Sequence, residues 1–148
     1  MSQKSKSTST TRSLGHLASD LRLVCMRISR RARYESTSLV APHQFSVLAR
    51  LAERPLTLRE LADIERVSAP SMTRTVGGLV DRGLVSRADD PADGRQVIAS
   101  LTEDGRAVWR DVRRRRDQWM AQRLKDLSAE ERDVLARASE ILARVVAE

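Results

Sequence analysis

Leu14, Leu17, Leu21, Val24, Cys25 and Ile28 recur every three or four residues, a spacing that predicts an amphipathic helix over roughly residues 13–34. Pro42 suits the first turn of a second helix, where no backbone donor is needed. That helix directs Phe45, Leu48, Leu51 and Ala52 inward and stops before Pro55. Thr57-x-x-Glu60 is a capping box that opens a short third helix carrying Leu58, Leu61 and Ala62. Ser68 caps a fourth, with Pro70 in its first turn, Met72, Val76 and Leu79 on one face, and Gly83 ending it. Leu84 to Arg87 and Val97 to Leu101 flank a turn-rich loop and predict a two-stranded hairpin. Thr102 caps a long fifth helix, with Glu103 and Asp104 at its positive dipole end. Ser128-x-x-Glu131 opens a sixth, with Leu135, Ala138, Ile141, Leu142 and Val145 inward. No internal repeat interrupts this series.

The third and fourth helices stand only a few residues apart, and the second of the pair is polar on its outer face. Together they predict a helix-turn-helix, and the hairpin makes it a winged one. The expected fold is mainly α (α+β): a winged helix-turn-helix with a two-stranded β wing, plus a helical lobe from the N- and C-terminal helices. The divisions are an arm at 1–12, expected to be disordered, a helix at 13–40, the winged unit at 41–101, and a linking and terminal helix pair at 102–148. The first, fifth and sixth helices are too long and apolar for a lone winged domain, so two chains are expected to bury these faces against each other.

The chain has 148 residues, 41% of them hydrophobic but only 3% aromatic, so its core is aliphatic. A net charge of +7 points toward a polyanion. Of the 27 basic residues only Lys4, Lys6 and Lys125 are lysines; arginine suits bidentate phosphate and guanine contacts. The charge is uneven: residues 1–40 carry +6, residues 41–101 sum to zero and residues 102–148 carry +1. Placement rather than bulk charge must therefore carry a nucleic-acid reading. No apolar run approaches the roughly 20 residues of a membrane span, and the Ser/Thr/Lys-rich start lacks an apolar signal core. A cytoplasmic protein is expected. A single cysteine, Cys25, excludes an intramolecular disulfide and a cysteine-based zinc cluster. His16 and His43 are the only histidines and fit neither a metal site nor a nucleophile–base pair, so no enzyme and no cofactor is expected.

The segments "LTLRELADIERVSAPSMTRTVGGLVDRGLV", "DDPADGRQVIASLTEDG" and "LSAEERDVL" follow in order between residues 56 and 135, within a resemblance that extends over roughly residues 13–146. In that order and spacing the chain resembles the MarR family of winged-helix transcription regulators. The resemblance implies a homodimer, joined through its terminal helices, on a palindromic double-stranded DNA operator. It usually implies a repressor relieved by small molecules or oxidants. The family's wing loop has the form D-x-x-D-x-R, matched by Asp90, Asp93 and Arg95, and its arginine enters the minor groove. Asp93 is then expected to orient Arg95 rather than touch DNA; the plainer reading is a solvated hairpin with a local Asp–Arg pair.

On the fourth helix, Ser68, Ser71, Arg74 and Thr75 fall on or near the outer face. Arg74 is the expected base reader, and Pro70 could pack on a thymine methyl. Gly77-Gly78 reads as close packing on the third helix. Arg59 and Arg66 are either backbone contacts or plain solvated charges. On the fifth helix, Arg116 and Arg123 share a face with Trp109, Val112, Trp119 and Met120. An arginine there needs a partner. It is either an ion pair with the dimer mate or a snorkelling side chain, or else a counter-charge for an aromatic carboxylate effector. The resemblance puts effector pockets between the lobes, where His43, Phe45 and Trp109 could add to a wall around Arg116. Alternatives are redox sensing through Cys25, which its apolar stripe makes a buried thiol instead, a sequence-neutral DNA-packaging protein, and a protein-binding adaptor.

Overall fold

The computed structural model describes residues 13–35 and 39–147; the arm expected at 1–12 lies outside them. The chain forms two units, residues 1–31 and 32–148. Helix α1 (Leu14–Tyr34) makes up the described part of the first and has no buried residue. Its Cys25 is exposed, which corrects the expectation of a buried thiol. The apolar stripe is real, but it faces outward: Leu17, Val24 and Ile28 are all exposed.

In the second unit come α2 (Pro42–Glu53), β1 (Leu56–Thr57), α3 (Leu58–Glu65), α4 (Ala69–Asp81), β2 (Val85–Asp89), β3 (Val97–Leu101), α5 (Glu103–Leu124) and α6 (Ala129–Val146). The caps lie where the sequence puts them. Thr57 accepts from the Glu60 amide while Glu60 accepts from the Thr57 amide; that backbone bond is the main reason the Glu60 carboxyl lies below its ordinary pKa. Ser68, Thr102 and Ser128 likewise accept from the amides three residues on. The core is aliphatic. Leu48 of α2, Leu61 of α3 and Met72, Val76 and Leu79 of α4 meet Ala99 of β3 and Val112 of α5. Burying each large side chain contributes about 1.5–3 kcal/mol. Helix α6, like α1, has no buried residue. No helix among the described residues is long and apolar enough to cross a membrane.

The sheet has three strands rather than two, in the antiparallel order β1-β3-β2. Leu56 pairs with Ala99, and Val85 to Asp89 pair with Leu101 to Val97. A two-residue strand beside Pro55 is too short to show an alternating pattern, so only its buried Leu56 hints at it. A second correction concerns Gly77 and Gly78. Neither packs on α3: a Cβ at Gly77 would meet nothing within 4 Å, and one at Gly78 would lie 3.5 Å from the Gln44 amide nitrogen of α2.

Two helix ends set the geometry of α3 and α4. Helix α3 closes with a Schellman turn: the Arg66 amide donates to Asp63 O and the Val67 amide to Ala62 O. Arg66 takes the left-handed position usually given to glycine, at φ 53°. Helix α4 closes the same way, with Gly83 at φ 69° and the Leu84 amide donating to Leu79 O at 2.9 Å.

The α4 turn is locked to α5. The Thr102 hydroxyl donates to Gly83 O at 2.7 Å, and its amide donates to Leu84 O at 3.2 Å. Gly105, in the first turn of α5, lies so close that a Cβ there would sit 1.9 Å from Leu84 O. The obstacle is backbone, which cannot swing aside like a side-chain tip. Gly105→Ala should therefore cost roughly 3 kcal/mol or more, and lower the thermal midpoint by on the order of 10 °C for a domain of this length. Calorimetry checks this; a variant within about 0.5 kcal/mol of wild type, the usual range of an inconsequential surface change, would contradict it.

Candidate nucleic-acid interface

Helix α4 divides cleanly between two faces. Met72, Val76 and Leu79 are buried, which turns Ser68, Pro70, Thr73 and Arg74 outward, with Ser71 and Thr75 half-buried at the margin. The three polar side chains at its start are already organised. The Ser68 hydroxyl lies 3.0 Å from that of Ser71, and Arg74 Nη2 donates to Ser71 Oγ at 3.3 Å. This bond uses one of five guanidinium donors, leaving the fork able to meet a guanine edge. The first-turn amides of the helix add a positive dipole end suited to a phosphate. Thr73 is exposed but spends its proton on Ala69 O at 2.9 Å. Spacing marked Arg74 and its neighbours; Thr73 went unremarked because nothing distinguishes it from a solvated helix residue.

The wing tip is held by its acids. The Asp90 amide donates to Gln96 O, and the Asp90 carboxylate accepts from the Ala92 amide at 2.8 Å, an Asx turn. Asp93 accepts from the Gln96 side chain at 3.1 Å and from the Arg95 backbone amide at 3.1 Å. These two bonds, Gln96 first, hold its carboxyl below the ordinary range. Asp93 thus fixes the Arg95 backbone, while no ion pair ties the Arg95 guanidinium to it among the described residues. The local Asp–Arg pair is not formed. Gln96, which closes the turn, was missed, although its place between Arg95 and the strand was a signal for it. Arg66 is exposed in the turn between α3 and α4, whereas Arg59 is exposed in the first turn of α3, in a recess it shares with Asp90 and Gln96 of the wing loop.

A recess of about 460 Å³ opens between α2 and α5. Phe45, Trp109, Arg113 and Arg116 line it with Glu53 and Asp117. Arg116 finds the partner its apolar face demanded in a ring: its guanidinium carbon lies 4.0 Å from the Phe45 centroid. Burial lowers its pKa, with the nearby Arg33 charge adding to the effect. The Arg123 guanidinium carbon lies 3.8 Å from the Trp119 centroid, and Arg123 also donates to the Trp119 carbonyl. Arg113 is 5.6 Å from the Trp109 centroid and 3.9 Å from Asp117. Of the expected wall, Phe45, Trp109 and Arg116 come together. His43 is exposed and does not line the recess; at helical spacing it falls in line with Val47 rather than with Phe45, Ala49 and Ala52, which face the recess.

Comparisons with known proteins agree with this geometry. The profile of the MarR family matches residues 40–96. An HTH-type transcriptional regulator of Mycobacterium tuberculosis is 45% identical over 134 residues, covering 89% of this chain and 94% of that protein. The crystal structure of ligand-free E. coli MarR superposes with a TM-score of 0.75 at 28% identity, covering 91% of this chain and 97% of that one. A MepR variant of S. aureus, solved bound to an oligodeoxyribonucleotide, shares the fold with a TM-score of 0.67 at 19% identity, over 87% and 97% of the two chains. The chain belongs to the MarR family of DNA-binding transcriptional regulators, which are not enzymes.

Proposed function

We propose that the chain works as a homodimer on a palindromic operator, as a repressor released by a small anionic aromatic ligand. The observation that carries the DNA half of this reading is the pairing of two exposed arginines on fixed supports. Arg74 stands on a helix clamped at its C-terminus, and Arg95 on a wing tip tied by Asp93. The oligodeoxyribonucleotide bound to the MepR variant supports the same use of the fold. Dimerisation is supported by the outward apolar faces of the two terminal helices. Val24 of α1 is 50% exposed, and Ile141 and Val145 of α6 are 52% and 68% exposed. Faces of this kind are unusual on a monomer.

Arg74 would read a base edge in the major groove; Ser68, Ser71 and Thr75 would hold phosphates, and Pro70 would meet a thymine methyl. Arg95 would enter the minor groove, where readout is degenerate. The two variants should therefore fail differently on duplexes selected from a random-sequence pool. Arg74→Ala should relax preference at one position of each half-site, losing about 1–3 kcal/mol of discrimination. Arg95→Ala should weaken binding to many sequences and lower the salt slope by about one. Wild-type-like gel shifts from both variants would overturn the docking. A specificity ratio near unity between selected and random DNA would favour the packaging protein instead.

The recess beside Arg116 is the place for the ligand. The Arg116 guanidinium, 4.0 Å from the Phe45 centroid, would bring its positive charge and N–H donors to an approaching carboxylate. Trp109 supplies a second apolar wall, and Glu53 and Asp117 would turn the acid group toward the arginines. Benzoate should release bound DNA and benzamide should not. Arg116→Met keeps the apolar bulk, so it should bind DNA as wild type does and lose its response to benzoate. Equal release of wild type and variant across a benzoate titration would discard the counter-charge. Release of both proteins by hydroperoxide alone, abolished by Cys25→Ser, would favour redox control through the exposed thiol.

A further inference from the structure

Gly77 stands in the interior of the recognition helix, where glycine is a poor choice: it lowers helix stability relative to alanine. Inside a fold, a helical glycine usually answers one of two needs. The first is a left-handed backbone, but among the described glycines only Gly83 has a positive φ. The second is a close neighbour. Gly105 plainly has one, and a Cβ at Gly78 would lie 3.5 Å from Gln44 Nε2 of α2. A Cβ at Gly77 would meet nothing within 4 Å. No packing contact or backbone torsion among the described residues asks for glycine here.

The direction in which Gly77 faces is informative. At about 100° per residue it lies about 20° from Pro70, 40° from Thr73 and 60° from Arg74 around the helix axis. It lies about 100–160° from Met72, Val76 and Leu79, which are buried. Gly77 therefore continues the outer stripe on which Pro70, Thr73 and Arg74 are exposed. Asp81, one turn further on, is exposed and offers a phosphate only repulsion.

We propose that Gly77 is where one wall of the major groove seats: the missing side chain lets the deoxyribose edge of a DNA strand come against the backbone of α4, and so lets the helix sink far enough for Arg74 to reach a base. The proposal rests on the reading above in which α4 enters the major groove. Glycine is the usual residue wherever a backbone must meet a partner closely. The groove is about 12 Å wide and a helix with its side chains about 10–12 Å across, so little room remains at the flank. Because Asp81 follows, the atoms admitted are those of a sugar rather than of a phosphate. A methyl at Gly77 would hold the helix outward, whereas hydrogen bonds from Arg74 to a base edge need about 2.7–3.2 Å. The helix thus gives up stability at one position and gains depth on DNA.

The test uses the full chain and the tightest duplex that wild type selects from a random-sequence pool. Thermal unfolding, and fluorescence anisotropy at several salt concentrations, compare wild type with Gly77→Ala, Gly77→Leu, Gly78→Ala and Arg74→Ala. Gly77→Ala should unfold about 2–4 °C higher. It should nevertheless bind the duplex at least about fivefold more weakly, the lower end for a methyl forced into a filled contact. Its salt slope should match wild type, because no charge is lost. Gly77→Leu, also a good helix former, should bind more weakly still. Gly78→Ala gains similar helix stability with its methyl turned toward Gln44, so its affinity should stay within about twofold of wild type. Equal losses in Gly77→Ala and Gly78→Ala would show that the glycine pair serves flexibility and would overturn the proposal. So would wild-type affinity in Gly77→Ala and Gly77→Leu, or a lower unfolding midpoint in Gly77→Ala, the mark of a glycine the fold itself needs. Arg74→Ala separates this role from the docking it rests on. Wild-type affinity in Arg74→Ala would bring down the major-groove reading and the role of Gly77 with it; weakened binding in Arg74→Ala alone would sink only the role of Gly77.

Discussion

The close approach of Gly105 to the Leu84 carbonyl is the constraint on which the arrangement of α4, the wing and α5 depends. No side chain fits between them, and Thr102 seals the contact from both its amide and its hydroxyl. At this point the recognition helix ends, the wing begins and α5 starts. Three elements that would otherwise move independently share one backbone junction, made of hydrogen bonds and steric contact rather than of charge. Salt would therefore weaken the proposed grip on DNA without loosening the scaffold behind it.

Much of this was legible in the sequence, and the reasons differ by element. The helices declared themselves through three- and four-residue periodicity, and their starts through Ser/Thr caps. Local chemistry decides such features, so a single sequence suffices. The strand Leu56–Thr57 was not legible, because its identity comes from pairing with Ala99, far away in the chain. Gly105 lay in plain view within "LTEDG", but a glycine in a first helical turn announces nothing until the carbonyl it faces is known. Gly78 was assigned to the wrong neighbour for the same reason: spacing gives the face of a helix, not what lies across from it. Arg66 in a left-handed turn was equally hidden, since the sequence offers no glycine there.

The candidate site follows the same division. The outer face of α4 came from counting residues, and the wing motif from its resemblance to the family. What Asp93 bonds to came only from the structure, where it holds a backbone amide and a glutamine rather than a guanidinium. Arg116 was placed on an apolar face correctly, but its partner is an aromatic ring of the neighbouring helix. A cation–π contact leaves no mark in spacing, because it needs only one ring at the right height on another element.

The central claim is that two copies of this chain, joined outside the winged unit, present two recognition helices to one duplex. Sedimentation velocity of the full chain, alone and with a selected duplex, tests it most directly. The account predicts a particle of two 16.6 kDa chains in the absence of DNA and two chains per duplex in its presence. One chain in both states would contradict it.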